Sequence, residues 1–96
     1  MSKKEDDAFL IELDSMRLLA HSGTYHYATL AHGGPGWMVA LQAPKAPSYL
    51  LRSQRSDSQP RYFRTVEAAF RTIKAMGLSQ VLVTLNTYAP EQQNLV

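Results

Sequence analysis

Ninety-six residues with ten Lys/Arg, eight Asp/Glu and no cysteine make one domain without a disulfide framework, a thiolate metal site or a cysteine nucleophile. No apolar stretch approaches the roughly 20 residues that span a bilayer, and the charged start Met1-Ser2-Lys3-Lys4-Glu5-Asp6-Asp7 is unlike a secretory signal, so the expectation is a soluble cytoplasmic protein. The net charge of +2 is segregated: residues 1–44 carry three bases against five acids, whereas 45–74 carry Lys45, Arg52, Arg55, Arg61, Arg64, Arg71 and Lys74 against only Asp57 and Glu67.

The first element reads as a helix over 6–20. Asp6 and Asp7 suit its first turn, where carboxylates meet unpaired N–H groups. Phe9, Leu13, Met16 and Ala20, with Leu10 alongside, recur at helical spacing as a core stripe. Ile11 and Leu18, seven apart, fall on nearly the opposite side, and a second apolar stripe calls for a second partner. A strand over Phe9-Ile11-Leu13 is the weaker alternative, because the apolar pattern runs on for two more turns. Gly23 closes the element.

From Thr24 to His32 the period changes to two, with Tyr25, Tyr27, Thr29 and Ala31 on one side. Gly33-Gly34-Pro35-Gly36 then leads into Trp37–Ala43, which together predict a hairpin. Pro44 and Pro47 break the second strand before a third at Ser48–Ser53. Gln54–Pro60 reads as a flexible polar tip, and Arg61–Arg64 as a short strand able to pair back. Thr65 caps a second helix with Val66, Ala69, Phe70, Ile73 and Met76 inward and Gly77 closing it. Gln80–Leu85 is a last strand, apolar enough to be internal or tightly covered. Residues 1–5 and 87–96 read as flexible ends. The chain is thus one α+β domain over 1–96, with an antiparallel sheet of about four strands and two helices on one face, in the order α-β-β-β-(β)-α-β.

The glycine turn precedes a strand rather than a helix, so it is a hairpin and not a phosphate cradle. His26 and His32 share a strand face but lie about 20 Å apart along an extended chain, and with His21 they make no metal site. His21-Ser22, Glu12 and Asp14 form no recognisable catalytic constellation, so no catalytic residue, metal or cofactor is expected. The basic segment is the functional signal. Arg52, Arg55, Arg61, Arg64, Arg71 and Lys74 can meet an anion, and Tyr62, with Tyr49, can add stacking. Arginine outnumbers lysine here, which suits recognition by paired donors and equally a protein interface, the plain alternative being arginines that only solvate a strand and a helix. The expected function is a small non-enzymatic binding or regulatory accessory domain that contacts nucleic acid through 52–74. The alternative is an interaction module, inhibitor or adaptor, docking on an acidic protein. The Ile11/Leu18 stripe adds the expectation of a homodimer.

The α-β-β-β-α order resembles the double-stranded-RNA-binding domain in topology alone. That family's basic cluster at the start of the last helix has no counterpart in Thr65-Val66-Glu67-Ala68-Ala69, and no site residue carries over.

Overall fold

In the computed structural model, which describes residues 8–85, seven elements follow one another: β1 (Phe9–Ile11), α1 (Leu13–Ala20), β2 (Ala28–Gly33), β3 (Gly36–Leu41), β4 (Tyr49–Leu51), α2 (Val66–Ala75) and β5 (Val81–Thr84). The two acidic residues assigned to the first helix turn, and both expected flexible ends, lie outside the described residues.

The sheet has five strands in the order β1-β4-β3-β2-β5. It is mixed rather than antiparallel, because β1 pairs parallel to β4 and β5 parallel to β2, while β3 alone runs against its neighbours. Parallel neighbours need long crossovers, and the two helices supply them: α1 carries the chain from β1 to β2, and α2 from β4 to β5. Both crossovers traverse the sheet in the same sense. A common right hand therefore places both helices on the same face. The buried cluster agrees, since Met16 and Ala20 of α1 and Ala69, Ile73 and Met76 at α2 meet Ala28, Leu30, Trp37, Val39, Leu41 and Leu51, strand positions of a single face by register.

Several expectations change. The segment 9–11 is a strand, not the opening of a helix. Its register Phe9↔Tyr49, Leu10↔Leu50, Ile11↔Leu51 gives these residues a ladder that local helical spacing cannot reveal, and the helix starts only after Glu12. Ile11 packs against the core from β1, so it shares no helical stripe with Leu18, which stays 73% exposed on α1. The last strand is at an edge rather than inside: Leu82, Val83 and Leu85 are exposed. Phe70, expected inward, is exposed as well.

The hairpin forms as expected, with Gly33 opposite Gly36 and Gly34-Pro35 as its turn. Gly36 answers to a tertiary demand, since a Cβ there would lie 2.4 Å from the Phe63 carbonyl oxygen. That close approach lets Trp37 and Phe63 exchange two main-chain hydrogen bonds of 2.8 Å. The expected 61–64 strand is thus reduced to one isolated bridge, Trp37↔Phe63, with a second, Arg52↔Pro60, at the end of the preceding tip.

Candidate anion-binding cleft

The basic residues are sorted by the strand ends and helix faces that carry them. Arg52, just past β4, reaches Glu12 at 3.5 Å and Asp57 at 2.9 Å. Two carboxylates cancel its field, and exposed pairs of this kind add little stability. Arg55 sits in the loop that Arg52 and Asp57 close, its N–H held by the Ser53 hydroxyl at 3.0 Å.

Arg61 is positioned by its main chain, whose N–H donates to the Leu51 carbonyl at 2.8 Å. Its guanidinium lies 4.6 Å from the Phe63 ring centroid, a cation–π contact that orients the side chain without consuming its charge. Phe63 itself is buried in the core cluster that also holds Met16, Ala69 and Trp37. From there Arg61 meets Arg17 of α1 and Arg71 of α2 around a cleft of about 380 Å³, floored by Leu13, Phe63, Ala68 and Ala75, with Thr72 adding a hydroxyl. Among the described residues no carboxylate lines it. Arg17 is held by Asp14 at 3.2 Å, whereas among the described residues no carboxylate pairs with Arg61 or Arg71.

The structure therefore brings Arg61 and Arg71 together and sets Arg52 and Arg55 apart. Arg64, Tyr62 and Lys74 are exposed outside the cleft. Arg71 and Lys74 flank Phe70 on a neighbouring depression of α2 that also includes Glu67. Arg17 escaped the sequence reading, because the segment around it is acidic on balance. Only the packing of α1 beside 61–63 brings it to the others. Tyr49 serves packing instead of stacking on a ligand, since its ring meets Phe9 at 5.7 Å and Tyr25 at 6.1 Å. Arginines from three segments over an apolar lining suit an anion, since the forks of Arg61 and Arg71 can each give two charge-assisted hydrogen bonds and Arg17, shared with Asp14, adds its remaining donors.

The histidines are dispersed. His21 lies over Gly77, His26 is exposed, and the His32 ring stacks edgewise on Trp37 at 4.9 Å. Among the described residues no three His, Asp or Glu side chains come together as metal ligands, and no helix is long and apolar enough to cross a membrane. Comparison of the chain with protein-family models, with curated sequences and with solved structures finds no match in any of the three.

Proposed function

We propose that the chain is a non-enzymatic binding domain that contacts nucleic acid through the cleft of Arg17, Arg61 and Arg71. The supporting observation is that arginines from three segments line one cleft whose described lining holds no carboxylate, with Asp14 engaging Arg17 from outside it. Arg64 and Lys74 extend the positive field outward from it, so a polyanion can continue along the α2 surface. A phosphate at the cleft would receive paired donors, and neighbouring phosphates would meet the outlying charges.

Fluorescence anisotropy with labelled single-stranded and duplex DNA and RNA, across a salt series, tests this reading. Binding should weaken steeply with salt. Replacing Arg61 and Arg71 together by alanine should cost roughly tenfold or more and lower the slope of log affinity against log salt by about two. No binding to any of these probes at about 50 mM salt would end the nucleic-acid reading. A second reading, an acidic protein partner, draws on Phe70, which is 43% exposed between Arg71 and Lys74. An exposed aromatic beside cations suits a protein interface better than a phosphate backbone. Loss of a partner on Phe70→Ala with nucleic-acid binding unchanged would favour it.

A further inference from the structure

The arginine cleft has a neighbour. A second cleft of about 290 Å³ lies between the start of α1 and the 52–54 segment, and Leu13 and Arg61 line both. Two main-chain hydrogen bonds fix the far side of this cleft. Arg61 N–H donates to the Leu51 carbonyl and Ser53 N–H to the Gln59 carbonyl, each at 2.8 Å. The same short ladder, with the Arg52↔Pro60 bridge inside it, therefore carries Arg61 and leads directly into Gln54.

The two clefts differ in charge. The first holds Arg17, Arg61 and Arg71 and no carboxylate in its described lining. The second holds Glu12 and Asp14, and its Arg52 is engaged by Glu12 at 3.5 Å and Asp57 at 2.9 Å. A phosphate is therefore favoured in the first over the second. The Gln54 side chain has no hydrogen-bond partner among the described residues, and its amide carries a donor and an acceptor side by side. The Ser53 hydroxyl accepts the Arg55 N–H at 3.0 Å and keeps its own O–H to donate. Leu13 and Leu51 add apolar lining. An uncharged, flat group with polar edges suits such a cleft, and a nucleobase is one.

We propose that the protein binds single-stranded nucleic acid in preference to duplex, with a phosphate on Arg61 and Arg71 and an adjoining unpaired base in the second cleft against Gln54. This rests on the nucleic-acid reading of the arginine cleft and adds the form of nucleic acid it takes. Base and phosphate of one nucleotide are joined through a single sugar, so two clefts that share a wall can be filled by one nucleotide. In a duplex the base edge that Gln54 would meet is occupied by the complementary strand, and bringing that base into a cleft costs its pairing and stacking. A single strand already presents the edge. Because an amide can pair with the polar edge of any base, the contact selects unpaired bases rather than one sequence.

Fluorescence anisotropy of the full chain with three labelled probes of equal length tests the proposal: a single strand, its duplex, and an abasic strand that keeps the phosphates and lacks the bases. The single strand should bind at least about tenfold more tightly than either of the others. Gln54→Ala, at an exposed position, should weaken binding of the single strand about three- to tenfold, leave the abasic strand unchanged and keep the salt slope, which Arg61→Ala should lower. A duplex or an abasic strand that binds as tightly as the single strand overturns the proposal, and so does a Gln54→Ala chain that binds the single strand like wild type. Duplex binding whose salt slope falls in the Arg61/Arg71 double variant keeps the cleft reading while ending this one. Binding to none of the three probes ends both.

Discussion

Tyr25 precedes β2 yet lies in the core, where its hydroxyl donates to the Pro47 carbonyl and anchors the β3–β4 connection. Burial, and to a lesser degree the neighbouring Tyr49, raise its phenol above the ordinary value. The native state thus holds this proton more tightly than the unfolded chain. The associated stability is complete below about pH 10 and is lost as pH climbs past it towards the raised value. Urea midpoints should accordingly fall above about pH 10, and fall less in Tyr25→Phe; equal slopes would remove Tyr25 as the cause. In the same connection Lys45 adopts φ 64°, following Pro44 in a turn closed by Ala46 N–H to the Ala43 carbonyl at 3.3 Å. A positive φ at this position favours glycine, and the side chain of a lysine strains there. Lys45→Gly should therefore stabilise the fold by about 0.5–1 kcal/mol in urea unfolding, the relief of strain outweighing the added freedom of the unfolded chain.

At the scale of elements, α2 is held by local chemistry at both ends. The Thr65 hydroxyl accepts the Ala68 N–H at 3.1 Å. At the other end Gly77 takes φ 101°, and the N–H groups of Gly77 and Leu78 donate to the carbonyls of Lys74 and Ile73 at 3.0 and 3.4 Å. This is the Schellman pattern, with Leu78 buried behind it. Thr65→Ala should cost about 1 kcal/mol in chemical denaturation, with α2 amides next to the cap gaining exchange. Both ends are readable from the sequence, because a cap and its helix are neighbours in the chain. The first element is not. Phe9–Ile11 is three residues long, too short to show a period, and its ladder partner lies forty residues away in β4. An apolar spacing that continued into α1 therefore favoured a helix that tertiary pairing overrode. In β5 the error had another form: an apolar run reports that a strand wants cover on both faces, not that it has neighbours on both sides.

Across the whole molecule, both helices of the described residues lie in one layer on one face of the sheet. That layer shapes the cleft, because α1, α2 and the 61–63 segment meet on it. The positive charge is then divided by position. Arg52 is neutralised at the end of the sheet, while Arg61 and Arg71 remain available between the helices. A comparison of Arg52→Ala with Arg61→Ala separates these roles, since the first should leave the salt slope of nucleic-acid binding unchanged and the second should reduce it by about one.

Composition and local pattern alone determined the α+β class, the hairpin at 33–36, the second helix with both its caps and the basic character of 45–74. These depend on residues close together in the chain, whose hydrogen bonds and periodicity are local. The parallel pairings, the site of β5 at an edge, the entry of Arg17 into the cleft and the withdrawal of Arg52 from it were decided by tertiary structure. Each depends on which distant segments lie side by side, and strand order in a sheet is set by crossovers and by competition for one core rather than by any short run of residues.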